Sequence, residues 1–167
     1  MLGLGTGVSL TPVFNELIRR HKEEGLSFKN VIVFNAYEYF PLNKDSQNST
    51  LNQLKSRLLD HIDIEEKNVF APDGTISQDE VQQYCRLYEQ NIKKQGGIDI
   101  MLLGIGRNGN IATNEPGSGL TSPTRLILVD ATSRSEMSMS FGTNDQVPPC
   151  SITMLSLIHI SEPTRPY

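Results

Sequence analysis

Residues 103–118, LGIGRNGNIATNEPGS, join the end of an apolar run to a segment rich in glycine and asparagine. The apolar run, residues 98–105, has the length and the glycine boundary of a buried strand. In an open α/β sheet, ligands bind just beyond the carboxyl ends of the strands. The sequence therefore predicts a functional site in this stretch.

Length and composition limit the class of protein. The chain has 167 residues, of which 37% are hydrophobic and 20% charged, which suits one folded domain. The net charge is −4 and no basic stripe occurs, so a nucleic-acid partner is not expected. No apolar run approaches the roughly 18 residues of a membrane-spanning helix. Cys85 and Cys150 lack metal-site spacing, and we expect two reduced thiols in a cytoplasmic protein.

Short apolar strands alternate with helical patterns along the chain. Strands are predicted at residues 1–7, 31–34, 68–70, 98–105, 126–129 and 151–154. Three helices are predicted. The first begins near Ser9 and Thr11, the second runs from 51 to about 61, and the third runs from an N-cap at Ser77 to about 94. Residues 36–41 are predicted to form a loop. The alternation predicts an α/β fold with a mostly parallel sheet flanked by helices.

A glycine-rich turn, residues 3–9 (GLGTGVS), connects the first predicted strand to the first helix. Glycine lets the backbone approach a ligand, and a helix N-terminus offers free amide donors and a positive dipole end. These features favour phosphate binding. The alternative is a tight turn required for packing alone, because the pattern is neither a complete G-x-G-x-x-G nor a Walker A loop.

Glu38 lies between two tyrosines in the predicted loop 36–41. A carboxylate flanked by aromatic rings can have a raised pKa and act as an acid or a base. The alternative is a surface glutamate or a structural ion pair.

Glu115 is the only carboxylate in the central stretch, where it is accompanied by Asn108, Asn110 and Asn114. This density of polar side chains after a buried strand favours a binding pocket. The alternative is a polar loop whose amides bond their own backbone.

Three segments resemble the glucosamine-6-phosphate deaminase family: residues 3–7 (GLGTG), 34–39 (FNAYEY) and 104–118 (GIGRNGNIATNEPGS). The NEPGS run is specific to the deaminases, whereas the related 6-phosphogluconolactonases show a different run there. The resemblance extends from residue 1 to about 154 and implies a Rossmann-like fold. It also implies ring opening of an aminosugar phosphate, aldose–ketose isomerisation through an enolamine, and release of ammonia, with no metal and no organic cofactor.

The resemblance also assigns site residues. Four would contact the phosphate of a sugar-phosphate substrate, namely Gly5, Thr6, Gly7 and Ser9. Departures fall on the catalytic positions, because the usual base aspartate is Tyr37 here and the aspartate and histidine of the proton relay are Asn108 and Asn110. Asparagine cannot accept a proton as a carboxylate or imidazole does. Of the carboxylates that remain, Glu38 is expected to serve as base and Glu115 to assist ring opening.

Three functions remain open at this point. The first is deamination of an aminosugar phosphate. The second is a catalytically degenerate phosphosugar-binding or regulatory domain, suggested by the losses at positions 37, 108 and 110. The third is a 6-phosphogluconolactonase-like hydrolase, which the segment Asn114-Glu115-Pro116 disfavours. A homo-oligomer of the intact protein is a further possibility.

Residues 155–167 do not continue the pattern of the domain, and they resemble translated sequencing-adapter read-through. We therefore expect a partial domain over residues 1–154 and a non-native tail over 155–167. On this interpretation the sheet lacks a strand before residue 1 and further strands after residue 154, so the domain is truncated at both ends.

Overall fold

The computed structural model describes residues 1–119, 121–142 and 146–155. Seven strands lie within these ranges: β1 (Leu2–Leu4), β2 (Val33–Asn35), β3 (Tyr37–Phe40), β4 (Val69–Phe70), β5 (Ile100–Leu102), β6 (Arg125–Leu128) and β7 (Cys150–Thr153). The described helices are α1 (Thr11–Glu24), α2 (Thr50–Arg57), α3 (Val81–Gln95) and α4 (Ala131–Phe141). The predicted tail lies outside the described residues from 156 onward.

The main sheet contains four parallel strands in the order β4-β2-β1-β5. Helices pack on both of its faces. Val33 of β2 belongs to a core cluster with side chains of α1 and α2, whereas the next residue, Phe34, belongs to a cluster with side chains of α3. Successive side chains of a strand point to opposite faces, so β2 supplies both cores. The predicted α/β fold with helices around a parallel sheet is confirmed.

A second sheet was not predicted. Residues 36–41, expected to be a loop, contain strand β3, which pairs antiparallel with β7, and β7 pairs antiparallel with β6. Ala36 marks the passage between the sheets, since its amide donates to Leu4 O at 2.8 Å and its carbonyl accepts from Met154 N at 3.0 Å. The loop prediction was wrong because the pairing partner of β3 lies far along the chain.

Strand β5 is shorter and more exposed than predicted. The apolar run 98–105 contributes only Ile100–Leu102 to the sheet, at its edge. Ile98 is fully buried, but Ile100 is 55% exposed and Ile105 is 76% exposed. The apolar run therefore predicted the existence of the strand correctly. Because β5 is at the edge of the sheet, part of the run is exposed to solvent.

Two predicted helix starts were placed too early. Ser9 lies in a 3-10 turn, Val8–Leu10, and α1 begins at Thr11 with proline in its first turn as expected. Ser77 does not cap α3, which begins at Val81; its hydroxyl instead donates to Glu80 Oε2 at 2.6 Å in the preceding turn.

Helix α4 was missed, because its polar and apolar residues do not segregate onto separate faces. Its N-cap is Asp130, whose side chain accepts from Thr132 N at 2.7 Å. None of the described helices is long and apolar enough to cross a membrane.

Substitution of Phe34 tests the core on the α3 side of the sheet. The ring is fully buried, stacks on Phe70 with centroids 4.9 Å apart and meets Tyr88 edge-on at 5.7 Å. We expect Phe34→Ala to lower the free energy of unfolding by about 3–5 kcal/mol, measured by denaturant titration. Val13→Ala, at a 39% exposed position on α1, is the control and is expected to cost much less. Equal losses would contradict this account of the core.

Candidate functional site

The glycine turn after β1 opens onto a cavity of about 250 Å³. Its walls are residues 5–9, Tyr37, residues 103–106, Asn110, Ala112 and Met137. The carboxyl ends of the parallel strands β1 and β5 thus meet there, as expected for a ligand site in an open α/β sheet. Five predicted site residues line the cavity, namely Gly5, Thr6, Gly7, Ser9 and Asn110; Glu38, Asn108 and Glu115 do not.

Close backbone contacts shape this cavity. A Cβ on Gly106 would lie 1.8 Å from Asn110 Oδ1, and a Cβ on Gly104 would lie 2.8 Å from Ser9 Oγ. Both distances are far below van der Waals contact. Glycine at these two positions therefore lets residues 104–106 approach the side chains of Ser9 and Asn110.

Tyr37 stands where the base aspartate was expected. Its hydroxyl shares a hydrogen bond with Thr6, with Oη and Oγ1 3.0 Å apart, and its ring meets Tyr39 edge-on at 5.9 Å. Burial raises the pKa of the Tyr37 phenol above its usual value near 10. The group is therefore a neutral hydrogen-bonding partner at neutral pH.

The structure does not bring Glu38 to this cavity. The side chain is 4% exposed and lies against a different cavity, of about 370 Å³. Its carboxylate accepts from Ser49 Oγ at 2.7 Å, from Thr50 N at 3.0 Å and from Tyr39 N at 2.9 Å. These contacts satisfy donors at the N-terminus of α2, where a negative charge is favourable. The geometry thus gives no support to Glu38 as a base acting in the glycine-turn cavity.

Glu115 lies beside the N-terminus of α4. Its carboxylate accepts from Asn108 Nδ2 at 2.7 Å, from Ser133 Oγ at 2.8 Å and from Asp130 N at 3.3 Å. Asn108 Oδ1 in turn accepts from Asn110 N at 3.1 Å. Hydrogen bonds therefore connect the predicted residues Glu115, Asn108 and Asn110. The connection runs through the side-chain amide of Asn108, which does not take up or release a proton as a carboxylate or imidazole does. This connection fixes the loop and supplies no proton relay.

The lining of the glycine-turn cavity is uncharged. Among the described residues that line it, none carries a carboxylate, imidazole, ammonium or guanidinium group. Its polar contributions are the hydroxyls of Thr6, Ser9 and Tyr37, the amide of Asn110 and the backbone. Nowhere in the described ranges do three or more His, Cys, Asp or Glu side chains form a group that could hold a metal ion.

Two contributors to the site escaped the sequence interpretation. Arg57, the last residue of α2, donates to the carbonyls of Thr6 and Gly7. Ser133, in the first turn of α4, joins Asn108 to Glu115. Neither could be found from a local motif, since each reaches the site from an element distant in sequence.

Comparison with known proteins gives consistent results. The family described as glucosamine-6-phosphate isomerases/6-phosphogluconolactonase matches residues 2–143. A putative glucosamine-6-phosphate deaminase-like protein of Bacteroides thetaiotaomicron is 62% identical over 154 residues, which are 92% of this chain and 23% of that protein. Glucosamine-6-phosphate deaminase 1 of Bacillus subtilis is 38% identical over 154 residues, which are 92% of this chain and 63% of that protein. The chain thus spans less than two thirds of the length of these relatives.

Solved structures share the fold. A monomeric glucosamine-6-phosphate deaminase superposes with a TM-score of 0.88 at 38% identity, covering 94% of this chain and 64% of that one. The 6-phosphogluconolactonase of Thermotoga maritima superposes with a TM-score of 0.63 at 18% identity, covering 92% of this chain and 62% of that one. The second likeness shows the fold alone.

Glu38→Gln tests the helix-capping assignment. The substitution replaces an acceptor oxygen with a donor NH₂ group among buried donors, so we expect the free energy of unfolding to fall by about 1–3 kcal/mol. Glu66→Gln is the matched control, because the side chain of Glu66 is 89% exposed and pairs with Lys55 at 3.4 Å on the surface. We expect that change to cost under about 0.5 kcal/mol. An unchanged stability of Glu38→Gln in chemical denaturation would refute the capping role.

The protonation state of Tyr37 can be read by ultraviolet titration of wild type against Tyr37→Phe. Because burial raises the pKa of this phenol, the difference spectrum should show no phenolate until the pH exceeds about 10. The raised pKa also makes the stability of the fold depend on pH. The contribution of Tyr37 to the free energy of unfolding is complete below the pKa of the unfolded chain and is lost as the pH rises through the higher pKa of the folded protein. Phenolate at neutral pH would instead make Tyr37 a candidate base.

Proposed function

This chain belongs to the glucosamine-6-phosphate isomerase/6-phosphogluconolactonase family, and from that premise we propose that the intact protein is a deaminase acting on an aminosugar phosphate. The reaction is ring opening, aldose–ketose isomerisation and release of ammonia. The likeness to a solved glucosamine-6-phosphate deaminase over 94% of the chain supports this choice. Deamination is favoured over lactone hydrolysis because the relatives that share 38% identity or more with this chain carry deaminase names.

The observation that carries the proposal is the glycine turn at the cavity. Residues 5–9 line the cavity directly before α1 begins at Thr11. The amides of Leu10 and Thr11 already donate to Gly7 O and Val8 O, and Pro12 has no N–H. The donors nearest the cavity are therefore the amides of residues 7–9, just before α1, where the helix dipole favours an anion. In the proposed complex, the substrate phosphate accepts hydrogen bonds from these amides and from the hydroxyls of Thr6 and Ser9.

The sugar would then extend toward Tyr37 and Asn110. Both line the same cavity, and both offer neutral hydrogen-bonding groups that suit sugar hydroxyls. Glu115 and Asn108 serve in this proposal as positioning residues, since their polar atoms hold the loop from 108 to 115 against α4. Glu38 likewise serves the scaffold.

The chemistry makes one demand that the described lining does not meet. Isomerisation moves a proton from C2 of the sugar, and a base within hydrogen-bond reach must accept it. The hydrogen bonds of Glu38 and Glu115 direct both carboxylates to helix N-termini outside the cavity lining. Deamination therefore requires a proton acceptor contributed by another part of the intact protein.

The uncharged lining favours a second candidate function, binding of a phosphosugar without turnover. A cavity that offers only neutral groups can hold a sugar phosphate through its amides and hydroxyls. Such a protein would act as a sensor or regulatory domain.

A cytoplasmic location suits both functions, and Cys85 and Cys150 are both unpaired thiols in the structure. A homo-oligomer remains a prediction.

Ammonia release from glucosamine 6-phosphate by the intact protein distinguishes the two candidates. We expect turnover that is lost in Gly106→Ala, because the added Cβ collides with Asn110 Oδ1 inside the cavity. Gly119→Ala is the control, since its φ is not left-handed and a Cβ there would make only an ordinary van der Waals contact, 3.4 Å from Ser122 Oγ. Binding in calorimetry without ammonia would favour the binding domain. Absence of both binding and turnover would overturn the whole proposal.

A further inference from the structure

We propose that Arg57 is a positioning residue for phosphate binding, which it supports from behind the glycine turn without touching the ligand. The inference rests on the proposed function, since it assumes that the turn binds phosphate. Arg57 does not line the cavity, whereas residues 5–9 do. The guanidinium and the ligand would thus lie on opposite sides of the same backbone.

The contacts of Arg57 converge on that backbone. Its Nη1 donates to Thr6 O, and its Nη2 donates to Thr11 Oγ1 at 2.6 Å and weakly to Gly7 O at 3.4 Å. The guanidinium carbon also lies 5.6 Å from the centroid of the Phe14 ring. The planar fork of arginine can reach two acceptors at once, which a lysine ammonium cannot do with the same geometry.

Peptide geometry turns these contacts into an orientation of donors. In a planar trans peptide the carbonyl and the following N–H point in opposite directions. A Thr6 carbonyl held by Arg57 therefore directs the Gly7 N–H away from Arg57, toward the cavity side. The Gly7 carbonyl accepts from Leu10 N at 3.0 Å as well as weakly from Arg57, so the turn itself holds the Val8 N–H. Arg57 thus presents the Gly7 amide to an anion.

Helix α2 gives Arg57 a fixed position. Leu54, three residues before Arg57 in α2, and Leu58, the residue after Arg57, are buried in the core with side chains of β1 and α1. The opposite end of α2 is held by the buried Glu38 carboxylate at Thr50 N and Ser49 Oγ. Because α2 is anchored at both ends, the guanidinium of Arg57 also keeps a positive charge behind the glycine turn. The cavity lining itself carries no positive charge among its described residues.

Calorimetric titration with glucosamine 6-phosphate tests the role of Arg57 in the intact protein. We expect Arg57→Gln to weaken binding by about tenfold or more, because the Thr6 carbonyl loses its arginine donor and the Gly7 amide its orientation. Arg57→Lys keeps the charge but not the fork and should recover part of the loss. Thr11→Val removes one acceptor that orients the guanidinium and should cause a smaller loss.

Arg20→Gln is the matched control, since Arg20 on α1 is exposed and pairs with Glu16. Unchanged affinity in Arg57→Gln, with wild type binding normally, would overturn the role of Arg57 and leave the proposed function standing. If Arg57→Gln does not fold, Arg57→Lys and Thr11→Val decide, and wild-type affinity in both would overturn it. A wild type that binds no glucosamine 6-phosphate would overturn the proposed function and this inference with it. An equal loss in Arg20→Gln would also count against a specific role.

Discussion

The buried carboxylate of Glu38 is the contact on which much of this structure depends. A charge removed from water must be met by donors, and here Ser49, Thr50 and the amide of Tyr39 meet it. The carbonyl of Glu38 also accepts from Ser151 Oγ at 2.9 Å. One residue therefore ties the antiparallel sheet to the start of α2. Because α2 ends at Arg57, the same tie reaches the glycine turn at the other end of the helix.

Anchoring and ligand binding are thus divided between two kinds of side chain. The charged groups Glu38, Glu115 and Arg57 lie outside the cavity lining and bond to helix N-termini or to backbone carbonyls. The cavity itself is lined by hydroxyls, an amide and glycine backbone. Such a lining suits recognition of an anion by oriented dipoles. Proton transfer is a separate requirement, and the described lining offers it no carboxylate, imidazole or amine.

Sequence reasoning succeeded where the pattern is local. Short-range rules predicted strand β1 with its glycine turn, the proline in the first turn of α1 and the end of α3 near residue 94. The residues predicted in the glycine turn and Asn110 line the same cavity.

What escaped depends on contacts between distant segments. The role of Glu38 could not be read from its aromatic neighbours, since Ser49 and Thr50 decide it from another element. Strand β3 needed the position of β7, and Arg57 needed the packing of α2. Glu38 was predicted as a base, and the structure shows its carboxylate bonded to the start of α2.

The pairing of β3 with β7 has a consequence for how the cavity comes into being. Tyr37 lies opposite Thr153, which comes 116 residues later in the chain. Closing so long a loop has an entropic cost that is recovered only when both strands are present. During synthesis, β1, β2 and β5 leave the ribosome before β7 exists, and domains assemble from the N-terminus onward. The parallel sheet and its glycine turn can therefore form first. Tyr37, which lines the cavity from β3, takes its place only when β7 has been made and pairs with β3.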